Sequence, residues 1–218
     1  MSRCLIIFFA LLLASNRVVA QLPAGDNFLE DAMKSLKPFG GGSSDSVVKE
    51  VTVSGQPFKK ALLINTFKKP SVNGEYGLNA SISTPLKKGD VLWISFKARS
   101  LESKRETGES FIEVRFDQLV NRKYQWPSHL ERGISVGPNW TETSIPFILK
   151  KDIAPEDAPL VIKFDSFAQR FEISPVTFMN YGQNVKLEDL LRSIVHYDGD
   201  APDATWRKAA SMEVLNHC

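Results

Sequence analysis

The chain has 218 residues, 43% of them hydrophobic, with 27 Lys and Arg against 25 Asp and Glu and a formal net charge of +2. That length suits one sizeable core with short tails rather than two domains. Charges of both signs are interspersed, which excludes the broad basic footprint of a nucleic-acid binder or of a protein held on an anionic membrane, although a local basic groove remains compatible with the balance.

In chain order, Arg3 supplies a positive start, Leu5 to Ala14 an apolar run, and Val18-Val19-Ala20 small residues ahead of Gln21. This is the pattern of a cleavable signal peptide over residues 1–20. Ser15-Asn16-Arg17 stops the run short of the about 20 apolar residues that a membrane anchor needs. No later stretch is apolar enough to span a bilayer, so the expectation is an exported protein, extracellular or periplasmic, without membrane insertion. Cys4 leaves with the leader and Cys218 stands alone, so no internal disulfide is expected and the core must supply stability. Cys218 is left either as a tail thiol or as a link between chains.

Asn27 to Leu36 is compatible with a short helix, and Pro38 to Ser44, with three glycines, reads as a linker. The folded domain is therefore expected over 47–190, after an N-terminal segment over 21–46 and before a tail over 191–218. Strands are expected at Val47–Val53, Ala61–Phe67, Tyr76–Ile82, Val91–Arg99, Phe111–Asp117, Leu130–Val136, Trp140–Leu149 with its end near Pro146, Leu160–Phe167 and Phe171–Tyr181. The clearest is Val91–Arg99, where Leu92, Ile94, Phe96 and Ala98 alternate with Trp93, Ser95, Lys97 and Arg99. Ile112, Val114 and Phe116 alternate in the same way with Glu113, Arg115 and Asp117. Short strands without long intervening helices predict an all-β, antiparallel sandwich with short helical segments at both ends. Lys186–Ser193 is the first C-terminal helix candidate and Thr205–Leu215 the second.

The sequence holds no nucleophile elbow, no zinc-protease motif and no phosphate or dinucleotide loop. Two of its three His, His196 and His217, lie in the polar tail with only His129 in the body, which argues against a His-based triad. Glu113 with Asp117, or Asp165 with Glu172, are conceivable acid–base pairs, but such carboxylates more commonly pair with neighbouring Lys and Arg. If the strands of Trp93 and Glu113 are neighbours, Trp93, Lys97, Arg99, Glu113 and Arg115 share one polar sheet face. An aromatic beside charged hydrogen-bonding groups suits a sugar, whose C–H face stacks while its hydroxyls are bonded. Cover over Trp93 by a loop is the competing expectation. Tyr124, Trp126 and His129 form a second cluster, as a binding edge or as a plug at one end of the sandwich. Asn79-Ala80-Ser81 and Asn139-Trp140-Thr141 fit the N-glycosylation acceptor pattern.

From Val51 to Leu190 the chain resembles the jelly-roll carbohydrate-binding modules of the cellulose- and xylan-binding type, with a galactose-binding-like sandwich. The resemblance rests on Ser54-Gly55-Gln56-Pro57-Phe58 with Lys60-Ala61-Leu62, on Leu86-Lys87-Lys88-Gly89-Asp90-Val91-Leu92 with Phe96, Ala98 and Arg99, and on Gly137-Pro138 with Trp140. Phe171-Glu172-Ile173, Asn180-Tyr181-Gly182 and Lys186-Leu187-Glu188-Asp189-Leu190 complete it. Asp203-Ala204 with Trp206-Arg207-Lys208 resembles the link such modules have to a xylanase-like catalytic barrel. The resemblance implies a non-catalytic module that binds a polysaccharide or glycan, and it admits a structural calcium ion. Glu172 is the nearest candidate ligand for that ion, because Ser174 stands where such modules often carry an acid. The alternatives are a secreted structural or protein-interaction sandwich and, third, a small carbohydrate-active enzyme.

Overall fold

The computed structural model describes residues 24–29, 31–40, 45–69, 76–121, 123–125, 127–155 and 157–194, the last four as backbone. The signal-peptide region, Trp126 and the tail from 195 onward, with its second helix candidate, lie outside the described residues. In chain order the elements are β1 (Asp26–Asn27), α1 (Ala32–Ser35), β2 (Lys37–Phe39), β3 (Ser46–Thr52), β4 (Lys60–Thr66), β5 (Gly77–Ile82), β6 (Val91–Ser103) and β7 (Ser110–Phe116). There follow β8 (Leu119–Val120), β9 (Lys123–Tyr124), β10 (Leu130–Val136), β11 (Thr141–Ile148), β12 (Ala158–Lys163), β13 (Gln169–Ile173), β14 (Thr177–Asn180) and α2 (Leu187–Ile194).

Two antiparallel sheets pack face to face, as the alternating strands require. The seven-stranded sheet is built on β6, which pairs with β11 along 91–98 and with β14 and β13 along 92–103. β13 and β14 form one path broken at Ser174-Pro175-Val176. Pro175 has no N–H to donate, and Ser174 fills the gap by accepting the Lys97 N–H on its Oγ at 2.8 Å. β4 and β3 extend this sheet beyond β13, and β1 lies beside β14. The five-stranded sheet has the order β10-β7-β12-β5-β2.

Between the sheets lie Leu92, Ile94, Phe96 and Ala98 from β6, Ile112, Val114 and Phe116 from β7, and Leu160 and Ile162 from β12, all buried. Phe116 sits 5.3 Å from Phe178 and 5.6 Å from Phe147 between ring centroids, the separations of edge-on and tilted aromatic packing.

Three expectations are revised. The N-terminal segment is part of the sandwich: Leu29, Ala32 and Leu36 are buried in the core, and Pro38-Phe39, read as linker, belong to β2 paired with β5. A four-residue helix, capped by the Asp31 carboxylate accepting the Lys34 N–H, is what remains of the Asn27–Leu36 helix. Pro146 does not end its strand, since β11 lies at the sheet edge, where a missing N–H is tolerated.

Candidate functional site

Trp93, Lys97 and Arg99 project outward from β6, but their face is roofed. Trp93 packs with Val91, Met179, Tyr181, Val185 and the α2 residues Leu187 and Leu190 in a second hydrophobic cluster. Its ring stacks on Tyr181 at 6.3 Å, and its indole N–H is buried without a hydrogen-bond partner among the described residues. An amphipathic helix end supplies the cover, in place of the loop expected as the alternative. Over the other half, Arg99 Nε donates to Glu172 Oε2 at 2.8 Å and its guanidinium lies 5.0 Å from the Trp140 ring centroid. Trp140 in turn meets Phe58 edge-on at 5.0 Å. These rings come from the turns before β11 and before β4 and meet across β6 and β13. Lys97 Nζ lies 4.0 Å from Glu142.

Glu113 and Arg115 are not on this face. β7 belongs to the other sheet, so the five residues expected together divide between opposite sides of the sandwich. Alternation shows which side chains avoid the core, but not which sheet a strand joins. The crossing is marked by Ser100 Oγ and Ser110 Oγ, 2.9 Å apart, where the chain passes between sheets.

The outward face of the five-stranded sheet has a different construction. Gly133, Glu113, Lys163 and Gly77 are register partners across β10, β7, β12 and β5, and Phe39 of β2 continues the row. Both glycines serve as ring seats. A Cβ on Gly133 would lie 2.8 Å from Phe111 Cζ, and one on Gly77 would lie 2.5 Å from Phe39 Cε1. Glycine at these two positions lets the rings settle onto the sheet. Three inter-strand steps of about 4.8 Å put the two seats about 14 Å apart. Between them Lys163 Nζ lies 3.4 Å from Glu113 Oε1 and 3.8 Å from Asp165 Oδ2. One row lower, Glu131, Arg115, Val161, Asn79 and Lys37 are register partners. Val161 is only 3% exposed although it points away from the core, so neighbouring side chains cover the middle of this row.

Arg115 ties this face to the segment after β7. Its Nη2 donates to Asp117 Oδ1 at 3.1 Å and to Ser128 Oγ at 3.2 Å, while its Nε is buried without a partner among the described residues. Asp117 is 1% exposed, so the guanidinium is its charge compensation. The same segment carries the β8–β9 hairpin, whose turn residue Asn121 holds φ 53°, a left-handed conformation that Asn tolerates. Tyr124 on β9 is 56% exposed, which leaves it available at the rim and rules it out as a plug. His129 does pack inward, 6.3 Å from the Phe116 ring. Burial pushes its pKa below the ordinary 6.5, with Lys151 and Lys150 adding to the effect and Asp117 opposing it.

The residues do not fit the calcium suggested by the resemblance. The Glu172 carboxylate is bound by Arg99, and Ser174 Oγ is used between the Lys97 N–H and the Pro175 carbonyl. Among the described residues no three His, Cys, Asp or Glu side chains converge to hold a metal. Asp165 follows β12 of the five-stranded sheet and Glu172 lies within β13 of the seven-stranded sheet, so they do not form an acid–base pair.

Sequence reasoning missed Phe39, Phe111, Lys163 and the two glycines. The signal available was a glycine inside each of two otherwise good strand patterns, Gly133 in Leu130–Val136 and Gly77 in Tyr76–Ile82.

No protein-family model and no curated protein matches the chain. Solved structures do. A structure described as "CBM4 structure and function" has a TM-score of 0.51 at 10% identity, covering 70% of this chain and 99% of that one. The CBM22-1 xylan-binding domain of Paenibacillus barcinonensis Xyn10C has a TM-score of 0.52 at 12% identity, covering 73% and 97%. The CBM22-1–CBM22-2 tandem of the same protein has 0.52 at 11% identity, covering 73% of this chain and 47% of that one. At these identities the likeness is one of architecture, and it agrees with the sequence resemblance: the chain has the jelly-roll sandwich fold of carbohydrate-binding modules.

Proposed function

We propose that the protein is an exported, non-catalytic glycan-binding module that holds an extended polysaccharide segment on the outward face of its five-stranded sheet. The observation that carries this reading is the row from Gly133 through Glu113 and Lys163 to Gly77, with Phe111 and Phe39 seated at its two ends. Rings at the ends offer apolar surface to the C–H faces of two sugars, and the charged centre bonds hydroxyls between them. The carboxylates of Glu113 and Asp165 lie beside Lys163 and that of Asp117 beside Arg115, an arrangement suited to fixed hydrogen bonding rather than to proton transfer. Export follows from the signal-peptide pattern of residues 1–20. The test is binding of the chain from Gln21 onward to a panel of soluble polysaccharides, beside a reducing-sugar release assay. Retention without sugar release, lost in Phe111→Ala and Phe39→Ala variants that remain folded, supports the reading. Sugar release overturns its non-catalytic part, and no binding to any glycan overturns it as a whole.

A further inference from the structure

The two acceptor triplets in the sequence occupy different parts of the molecule. Asn139 is exposed on the turn before β11, next to Trp140 on the rim of the seven-stranded sheet. Asn79 lies within β5, where Leu78 and Ala80 are buried in the core and Asn79 and Ser81 therefore point to the opposite side. That side is the outward face of the five-stranded sheet. Asn79 stands there between its register partners Val161 and Lys37, and Ser81 is exposed opposite Pro159. Gly77, which seats the Phe39 ring, is two residues away on the same face, roughly 7 Å along the strand. A sugar joined to Asn79 therefore sits beside one of the two rings that end the row.

We propose that Asn79 is an N-glycan acceptor and that its glycan lies over the Phe39 end of this face, competing there with external polysaccharide and weakening its hold. The proposal rests on the glycan-binding reading above for its consequence, though not for the modification itself. In the transfer, Asn79 Nδ2 bonds to the anomeric carbon of a lipid-pyrophosphate-linked oligosaccharide. The bond from that carbon to the phosphate oxygen breaks, lipid pyrophosphate leaves, and the amide gives up one proton. The donor is supplied by a secretory pathway that carries out this transfer, and the export signal directs the chain into one. Transfer to the unfolded chain meets no obstacle from the strand, and the folded sheet then presents the glycan outward. A glycan on Asn139 lies on the rim of the other sheet and leaves the face open.

The experiment is secretion of the full chain from cultured eukaryotic cells, in parallel with Ser81→Ala, Asn79→Gln and Asn139→Gln variants. Peptide mass mapping reads occupancy, amine labelling of Lys37 reads shielding, and retardation by soluble xylan reads the face. The expected result is a glycan on the Asn79 peptide, Lys37 labelled several-fold less than in Ser81→Ala, and xylan binding at least tenfold tighter in Ser81→Ala and Asn79→Gln. Asn139→Gln should match the unaltered protein. An unmodified Asn79 peptide, or a glycan there that changes neither Lys37 labelling nor xylan binding, overturns the proposal. A glycan that shields Lys37 while no form binds any polysaccharide upholds the acceptor assignment and overturns the glycan-binding reading instead.

Discussion

The ring of Phe111 occupies the space that a side chain on Gly133 would fill, with Cζ 2.8 Å from the position of the missing Cβ. Gly133→Ala should therefore lift the ring from the sheet. Because the obstacle is a side-chain end and not backbone, the cost in stability should stay near about 1 kcal/mol, the scale of a modest repacking. Polysaccharide binding should fall about tenfold, or 1.4 kcal/mol, as in Phe111→Ala. Thermal melts beside affinity electrophoresis separate the two effects. Gly77→Ala should cost more stability, since its Cβ would also meet the Ile162 carbonyl oxygen at 2.9 Å.

Arg115 and Asp117 give a prediction about folding. Removing the guanidinium in Arg115→Ala leaves a carboxylate at 1% exposure without its cation. Breaking such a pair from one side costs about 3–5 kcal/mol. Denaturant titration should show that loss, and the added change Asp117→Asn should recover a large part of it. An Arg115→Ala protein as stable as the parent would show that Asp117 does not depend on this partner.

Acidification should act through His129. Burial lowers its pKa in the fold, so the unfolded chain takes up the proton first as pH falls. The neutral ring's contribution to stability is complete above about pH 6.5 and is lost as pH drops from there through the lower folded value. Melting temperatures between pH 8 and pH 5 should fall less steeply in His129→Gln than in the parent. Equal slopes would remove His129 from the account.

Leu190, fully buried in α2, and Trp93 beneath it should behave as structural residues. Leu190→Ala should destabilise by about 2–5 kcal/mol, the range for truncating a buried leucine. Trp93→Ala should lower the melting temperature and leave polysaccharide affinity within twofold. Lost affinity in a Trp93→Ala protein that melts like the parent would return the site to the seven-stranded sheet.

Much of this architecture is legible in the sequence because alternation is a local property. Leu92, Ile94, Phe96 and Ala98 declare an inward face whatever surrounds them, and Leu130–Val136 forms at the bounds expected for it. Sheet membership is not local. Trp93 and Glu113 look alike in the pattern, as outward residues of successive strands, yet the chain crosses between sheets after Ser103 and places them on opposite sides. Cover is equally non-local: nothing near Trp93 in sequence announces that Leu187 and Leu190 will lie over it. The N-terminal segment misleads for another reason, since Gly40 to Gly42 is a strong linker signal that hides the three-residue pairing of Lys37-Pro38-Phe39 just before it. Gly133 and Gly77 were the available clues to the face, as glycines that weaken a strand unless another group needs their space.

The most direct test compares two changes on opposite sides of the sandwich. Titration calorimetry with soluble polysaccharide on the Phe39→Ala/Phe111→Ala protein and on Arg99→Ala, each checked for folding by circular dichroism, addresses the central claim. Binding abolished in the first and retained in the second is the predicted result. Binding retained without the two phenylalanines, or abolished by the loss of Arg99 alone in a folded protein, would contradict the assignment of the five-stranded face.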